Sequence, residues 1–215
     1  MRILVTAGPT REHLDSVRFI SNPSSGKMGF AVAAAAADRG HTVTLVAGPV
    51  ELPDPRGVQT IRVVSSTQMA RACKARFQAC DVVIMTAAVC DYRPSRPARY
   101  KLAKRHQARA VTLVPTEDIL TSLGRAKPPG KILIGFAMED RQPRRKARAK
   151  LDRKNLDAIF LNGPANIGSD QAEVQLLVRG GRWQPWSRAS KRRVAYRIVR
   201  LAERLHAHAV DTRAY

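Results

Sequence analysis

The sequence predicts an open α/β fold, in which helices cover both faces of a doubly wound, mostly parallel sheet. Two observations support this prediction. Short apolar runs alternate with helix-like segments, as in right-handed strand–helix–strand crossovers. The segment DVVIMTAAV at 81–89 is almost continuously apolar, as expected for a parallel strand buried on both faces. With no internal repeat and no dividing linker, we expect residues 1–215 to form one domain.

The first half of the chain alternates strands with helices in a regular order. The segment ILVTA (3–7) reads as a buried strand, and a polar loop connects it to an alanine-rich helix that Gly40 ends. A second helix begins at a serine or threonine cap among residues 65–67 and runs to about 78. The predicted strands of this half cover residues 3–7, 41–48, 58–64 and 81–89, and the predicted helices cover about 26–39 and 67–78.

The second half continues the alternation and closes with an antiparallel hairpin. Pro143 stands in the first turn of a helix, where proline is tolerated, and Gly180-Gly181 is the predicted hairpin turn. The predicted strands cover 110–114, 131–138 and 156–162, the hairpin covers 172–186, and the helices cover 116–126, 143–155 and about 190–207. The sheet is therefore expected to be Rossmann-like, with a C-terminal β-hairpin.

The composition indicates an anionic partner. The chain has 38 lysines and arginines against 17 acidic residues, a net charge of +21, which favours nucleic acid, a membrane surface or phosphorylated small molecules. Segment 93–109 carries seven basic residues and no acid, and 141–154 carries eight with one acid. We interpret a third basic run, SKRRVAYRIVRLAERL, as a solvated surface.

Other features exclude several classes of protein. The three cysteines form no CxxC pair and predict neither a disulfide framework nor a metal site; Cys73 and Cys80 are expected to be buried. No apolar run reaches the roughly 18 residues of a membrane span, and the first residues read as a strand rather than a signal peptide. We therefore expect a cytoplasmic protein with no membrane partner.

The polar loop before the alanine-rich helix is the first candidate site. A helix start offers unpaired N–H groups and a partial positive charge to phosphate. The sequence SNPSSGKMG fits neither G-x-G-x-x-G nor a P-loop, in which Ser or Thr would stand at Met28. Gly26 and Gly29 also allow close packing of the helix on the sheet. On physical grounds alone, Asn22 is either a functional amide or an Asx turn before Pro23.

Two further candidates follow the ends of buried strands, where open α/β sheets bind ligands. Asp91 lies just beyond the apolar run at 81–89, and it could accept a hydrogen bond from a base or ribose, or hold a cation. Phe136, in GFAMED, could stack on a base or could equally be a core aromatic. Lys146, Lys150 and Lys154 recur every four residues and share one helix face, where they either bind a polyphosphate or are solvated.

Taken together and in order, several motifs resemble one family. They are VTAGPTREHLDSVRFISNPSSGKMG, TAAVCDY, EDIL, GFAMED and ARAKLDRKNLDAIFLN. The chain resembles the phosphopantothenoylcysteine synthetase (phosphopantothenate–cysteine ligase) family of coenzyme A biosynthesis over roughly residues 1–208. The resemblance implies a single nucleotide-binding ligase domain with a mobile basic flap at about 90–109. It also implies that CTP activates 4'-phosphopantothenate as an acyl-cytidylate, which the amine of L-cysteine then attacks.

The resemblance also implies roles for particular residues. Asn22 and Lys101 match the catalytic positions. The nucleotide-binding positions are Ala87, Asp91, Lys101, Glu117, Asp118, Ile119, Leu120, Phe136, Lys150 and Lys154. The loop that holds phosphate or substrate comprises Ser21, Ser24, Ser25, Gly26 and Lys27. Mg²⁺ accompanies CTP, and its protein ligands are not assigned. A homodimer is implied, and a separate decarboxylase is a candidate partner.

The chain departs from the family pattern at three motifs. Ala103 stands where the family has a lysine, Thr116-Glu117 replaces Asn-Pro, and Met138 replaces an alanine. These changes leave the choice between CTP and ATP open. Two alternatives remain: a nicotinamide- or flavin-dependent oxidoreductase, which lacks its glycine-rich turn here, and a nucleic-acid-binding module. The few, scattered aromatic residues make nucleic acid an unexpected partner.

Overall fold

In the computed structural model, residues 1–104 and 106–211 are described. The strands of this part are β1 (Arg2–Ala7), β2 (Arg11–His13), β3 (Phe19–Ser21), β4 (Thr42–Ala47), β5 (Val58–Arg62), β6 (Val82–Met85), β7 (Tyr92–Pro94), β8 (Leu113–Pro115), β9 (Ile132–Met138), β10 (Ala158–Asn162), β11 (Gln171–Val178) and β12 (Gln184–Ser190). Its α-helices are α1 (Lys27–Asp38), α2 (Ser66–Phe77), α3 (Ile119–Arg125), α4 (Pro143–Arg153) and α5 (Lys191–Asp211). A 3₁₀ turn follows β10 at Pro164–Asn166.

Among the described residues, eight strands form the main sheet in the order β12-β11-β10-β9-β6-β1-β4-β5. Six neighbouring strands of this order, β10, β9, β6, β1, β4 and β5, are parallel to one another. Strands β11 and β12 extend the sheet with antiparallel pairing. The chain builds outward from β1 in one direction and from β6 in the other. The boundary between β1 and β6 is therefore the topological switch point, where α/β sheets open a crevice.

Two hydrophobic cores cover the two faces of this sheet. Helices α1 and α5 pack on one face, with Phe30, Val32 and Ile198 among their buried residues. Helices α2, α3 and α4 pack on the other, where Met69 and Leu151 are buried. Helices on both faces confirm the doubly wound, Rossmann-like α/β class, and the antiparallel β11–β12 pair, with Gly180 at a φ of 74° in its turn, confirms the C-terminal hairpin.

The alanine-rich sequence of α1 lets this helix approach the sheet closely. A Cβ built on Gly29 would stand 2.4 Å from Thr86 Oγ1 and 2.5 Å from the Cβ of Ala7. Only glycine fits there without displacing the helix or the strands. The predicted packing role of Gly29 is confirmed, and it fixes the start of α1 against the ends of β1 and β6.

Several predicted boundaries are wrong. The predicted strand at 110–114 is formed only at β8, and it pairs with β7 in a separate two-stranded ribbon rather than joining the main sheet. The apolar run at 81–89 leaves strand geometry after Met85. The segment after β1, predicted as a polar loop without strands of its own, contains the ribbon of β2 and β3. Helix α3 begins at Ile119 instead of 116, because the side chain of Asp118 caps it by accepting the Thr121 N–H at 3.0 Å.

The predicted flap at about 90–109 begins with β7 and leads back to β8. Its residue Arg105 lies outside the described residues, as do the last four residues, 212–215, of the predicted single domain. Cys73, Cys80 and Cys90 are all buried, as predicted for the first two. Burial raises the pKa of Cys73 to about 12, which keeps that thiol protonated.

Candidate active site

A cleft of about 450 Å³ opens at the carboxyl end of the sheet, at the switch point between β1 and β6. Its walls are the loop and first turn of α1, the segment after β6, and a third wall at the ends of β9 and β10 that includes the turn after β10 and Lys191. Lys150 of α4 lies at its rim. Residues that line it include Asn22, Ser24, Ser25, Gly26, Lys27, Gly29, Thr86, Ala87, Asp91, Phe136, Met138, Asp140, Lys150, Asn162, Asn166 and Lys191. Nine of the predicted site residues thus meet in one place.

The loop wall of the cleft runs from Asn22 into the first turn of α1. Gly26 precedes α1 at a φ of 73°, and no side chain of the described residues caps this helix. The loop is held by the Ser24 N–H, which donates to the carbonyl oxygen of Asn22 at 2.8 Å. Ser21 lies outside the cleft lining, and its hydroxyl donates to the carbonyl oxygen of Thr10. The start of α1 therefore offers N–H groups and the positive end of its dipole to an anion.

Asn22 connects this loop to the segment that follows β6. Its Nδ2 donates to the carbonyl oxygen of Ala88 at 3.1 Å and lies 4.0 Å from the Sγ of Cys90. The alternative of an Asx turn is not what the structure shows, since the side chain reaches across the loop. The amide therefore has a fixed place in the cleft wall.

The strand-end residues stand where the sequence predicts them. The hydroxyl of Thr6 accepts the Ala87 N–H at 3.2 Å, and the carbonyl of Asp91 accepts the Thr116 N–H at 2.9 Å. Phe136 packs against the core, where its ring stacks on Phe160 with centroids 5.1 Å apart, and it also lines the cleft. Stacking of this ring on a base stays a prediction.

Of the three predicted lysines, Lys150 lines the opposite rim of the cleft, and none of the three is isolated. Lys150 and Lys146 both pair with the carboxylate of Glu139, Lys146 at 3.4 Å. Lys154 pairs with Asp118 at 2.8 Å and lies beside the cleft rather than in its lining. Burial opposes the ionisation of Glu139, but the hydrogen bond and charge of Lys150 outweigh it and lower the pKa. The expected mutual repulsion of these ammonium groups is relieved by carboxylates of the chain itself.

The remaining predicted residues lie outside the lining of the cleft. Glu117 pairs with Lys74 at 2.5 Å and accepts the hydroxyl of Ser122. Ile119 is buried in the core, Leu120 packs against the same core, and Lys101 is exposed on the flap. The EDIL segment thus caps and anchors α3, and only Asp118 contacts a lysine of the site.

The sequence interpretation missed the third wall of the cleft. Lys191, assigned to a solvated basic run, is only 8% exposed, and its Nζ donates to the carbonyl oxygen of Asn166 at 2.9 Å. Burial, and then the charge of Lys27, lower its pKa. Lys27 in turn pairs with Asp170 at 2.6 Å. The sequence carries no signal for this, because the predicted hairpin ends at residue 186, whereas the observed β12 runs to Ser190 and places Lys191 directly after it.

Asn162 and Asn166 complete this third wall. The amide of Asn166 donates to the Oδ1 of Asn162 and to the carbonyl oxygen of Glu173, and its Oδ1 accepts the Glu173 N–H at 3.2 Å.

The described residues hold no group of three or more histidines, cysteines or carboxylates that could bind a metal ion. In the same part of the chain, no helix is long and apolar enough to cross a membrane.

These features define a class of protein. A cleft at the switch point of a doubly wound sheet, with three lysines in its lining and an uncapped helix start in its wall, is the arrangement that α/β proteins use for phosphorylated ligands.

Comparison with known proteins identifies the family. The model of the DNA/pantothenate metabolism flavoprotein C-terminal domain matches residues 1–205, and the chain belongs to this family. The resemblance to the phosphopantothenoylcysteine synthetase family is thereby confirmed.

Curated relatives cover most of the chain. The Coenzyme A biosynthesis bifunctional protein CoaBC of Escherichia coli strain K12 is 45% identical over 188 residues, which are 84% of this chain and 46% of that protein. A cysteine/cysteine sulfinic acid decarboxylase from an unknown prokaryotic organism is 39% identical over 204 residues, or 93% of this chain and 57% of that protein. The chain therefore spans about half the length of the curated relatives it matches.

Solved structures share the fold. The crystal structure of the C-terminal domain of CoaBC has a TM-score of 0.82 and 38% identity, covering 98% of this chain and 96% of that chain. A Cab2 mutant in complex with phosphopantothenate-cysteine has a TM-score of 0.83 at 17% identity, covering 100% and 89% of the two chains. At this identity, the second likeness shows the fold alone.

Proposed function

We propose that the chain is a phosphopantothenate–cysteine ligase that uses CTP. The observation that carries this proposal is the position of Asn22, whose amide is held in the wall of a lysine-containing cleft beside an uncapped helix start. The name of a relative that is 45% identical supports it, since CoaBC belongs to coenzyme A biosynthesis.

In the first step, the carboxylate of 4'-phosphopantothenate attacks the α-phosphorus of CTP. The bond from that phosphorus to the bridging oxygen breaks, pyrophosphate leaves, and the acyl-cytidylate remains. Both reactants are polyanions, so a cleft with Lys27, Lys150 and Lys191 in its walls holds them together against their repulsion. Holding reactants in reactive geometry accounts for a large share of such rate accelerations.

In the second step, the amine of L-cysteine attacks the acyl carbonyl and loses a proton to solvent. Negative charge develops on the carbonyl oxygen until CMP leaves and the amide is formed. The side-chain amide of Asn22 and the N–H groups at the start of α1 are donors that can stabilise this oxyanion. Ala87, Asp91 and Phe136 are proposed to contact the nucleotide from the strand ends, and Lys101 to act from the flap.

Mg²⁺ fits this cleft as a companion of the nucleotide. Asp91 and Asp140 are the carboxylates in its lining, and Mg²⁺ in such sites takes one or two carboxylates together with phosphate oxygens. The ion would neutralise phosphate charge. Binding Mg²⁺ in this way does not require a cluster of three or more protein ligands.

A pyrophosphate-release assay tests the activity. The protein is given phosphopantothenate, Mg²⁺ and either CTP or ATP, with L-cysteine omitted in turn. We expect release that requires phosphopantothenate, with CTP the better nucleotide, and formation of phosphopantothenoylcysteine only when cysteine is present. Absence of release with both nucleotides would contradict the ligase. Release of CO₂ from cysteine alone would instead favour the decarboxylase function named for one relative.

We also propose that two copies associate through the two ribbons. Large apolar side chains are exposed on β3 and the turn before it, and along the segment from β7 to β8: Val17, Phe19, Tyr92, Tyr100, Val111 and Leu113. Exposed apolar patches of this kind mark interfaces, and a second copy of the chain is the proposed occupant. Sedimentation equilibrium is expected to give twice the mass of one chain, and the mass of one chain would contradict the dimer. A cytoplasmic location and a separate decarboxylase partner stay predictions.

A further inference from the structure

The side chain of Asp15 is completely buried in the turn that joins β2 to β3. Its Oδ1 accepts the N–H groups of Val17 at 2.9 Å and Arg18 at 2.7 Å. Its Oδ2 accepts both Nε and Nη2 of the Arg18 guanidinium, at 2.9 and 2.6 Å. The carboxylate therefore organises its own turn.

The same carboxylate reaches the flap. The Leu102 N–H donates to Asp15 Oδ2 at 3.1 Å, and the Arg18 Nη2 that binds Asp15 also donates to the Leu102 carbonyl at 2.6 Å. One further backbone bond joins the two segments, from the Ala98 N–H to the Leu14 carbonyl at 2.9 Å. Asp15 and Arg18 thus satisfy both backbone groups of the residue that follows Lys101.

Hydrogen bonds, rather than dense packing, hold the flap in this position. A second cavity of about 350 Å³ lies between the turn and the flap, lined on one side by Asp15 and Arg18 and on the other by Ala98 and Leu102. Tyr100 and Lys101, on the flap between those two residues, are exposed. The hydrogen bond from the Arg18 N–H is the main cause that holds the pKa of Asp15 far below its usual range. The carboxylate is therefore charged at every pH at which the protein would be assayed.

We propose that Asp15 is a positioning residue: by binding the Leu102 N–H and orienting Arg18, it fixes where the flap presents Lys101. This inference rests on the proposed function for the role of Lys101, but the docking of the flap does not depend on it. Arg18 is the second residue that joins the turn to the flap, through its bond to the Leu102 carbonyl oxygen. The sequence gives no hint of it, because the turn and Leu102 are 87 residues apart.

The experiment measures hydrogen exchange and catalysis in the full chain. The variant Asp15→Asn keeps the shape of the side chain and removes its charge. Asp81→Asn is the matched control, because Asp81 likewise accepts a backbone N–H and a guanidinium N–H, both of Arg2, far from the flap. We expect exchange at residues 98–104 to rise about tenfold in Asp15→Asn and to be unchanged in Asp81→Asn. Unchanged exchange at 98–104 in Asp15→Asn would overturn the docking.

A double-mutant cycle separates positioning from general stabilisation. With pyrophosphate release as the readout, Asp15→Asn is expected to lower kcat/KM about tenfold in the otherwise unchanged chain, and less than about twofold when Lys101 is already alanine. Equal losses in both backgrounds would overturn the positioning role. If the unchanged protein has no ligase activity, the proposed function fails, while the exchange experiment still decides whether Asp15 docks the flap. If Asp15→Asn does not fold, Arg18→Lys is measured in the same way. This variant retains the positive charge but loses the paired guanidinium N–H groups that bind Asp15 and Leu102.

Discussion

The two sides of the cleft are built in different ways. The loop side, residues 22–29, is fixed by backbone conformation and by the close contact of Gly29 with Thr86 and Ala7. The rim side presents the long side chain of Lys150 at the cleft, paired with Glu139. The first side is ordered before any ligand arrives. The second can exchange one anionic partner for another.

Because of this difference, we expect the two sides to affect different kinetic constants. Rigid donors aimed at developing charge raise kcat, because they need no reorganisation during the reaction. Lysines that leave a carboxylate for a phosphate affect ground-state binding and transition-state binding alike, so they change KM. The loop side should therefore govern the chemical step and the rim side the affinity for CTP.

The largest expected effect is that of Asn22→Asp. The substitution replaces a donor with a negative charge where we place the oxyanion. Loss of one such donor lowers kcat by about 100-fold or more. We expect steady-state kinetics to show this loss with the KM for CTP little changed. A parallel rise in that KM would mean that Asn22 holds the nucleotide instead, and the contrast between the two sides would be lost.

Gly29→Ala is expected to have the next largest effect. The added Cβ would meet Thr86 Oγ1 at 2.4 Å and the carbonyl oxygen of Thr6 at 2.9 Å, so α1 must move away from the sheet. Overpacking of this kind lowers the free energy of unfolding by about 1–3 kcal/mol, measurable by urea denaturation. Gly163→Ala is the control, since a Cβ there meets nothing within 4 Å. Equal stability of the two variants would show that the loop side is not rigid.

Lys150→Ala tests the rim side. It removes a cation from the lining of the cleft, and we expect the KM for CTP to rise about tenfold with kcat nearly unchanged. Lys146→Ala is the matched control, because Lys146 pairs with the same glutamate at a longer distance and lies outside the lining of the cleft. If both variants behave alike, the effect comes from the net charge of α4 and not from a site.

The sequence is informative wherever local pattern determines structure. Alternating apolar runs predict the sheet, Ser65 and Gly40 lie where helix boundaries are expected, and the residues at strand ends meet because parallel strands end at one edge. The misses concern contacts between distant segments. No local signal pairs Glu139 with Lys150, turns Lys191 inward or joins Asp15 to Leu102, since each depends on how separate elements pack. Segment 110–114 was wrongly placed because strand propensity does not say which strand is the partner.

Glu139→Gln carries the smallest expected effect and tests the idea of exchange most directly. If the glutamate competes with the triphosphate for Lys150, its removal should lower the KM for CTP about two- to threefold, the scale of a partly exposed ion pair. Although burial opposes it, Lys150 lowers the pKa of Glu139, so the ion pair stabilises the fold above the ordinary glutamate pKa and loses this effect as pH falls through the lowered pKa. The stability difference between variant and unchanged protein should therefore be present at about pH 7 and shrink as the pH falls below the ordinary glutamate pKa of about 4.3. A rise in the KM for CTP would mean that Glu139 orients Lys150 for the ligand instead of competing with it, and the rim would then be as preorganised as the loop.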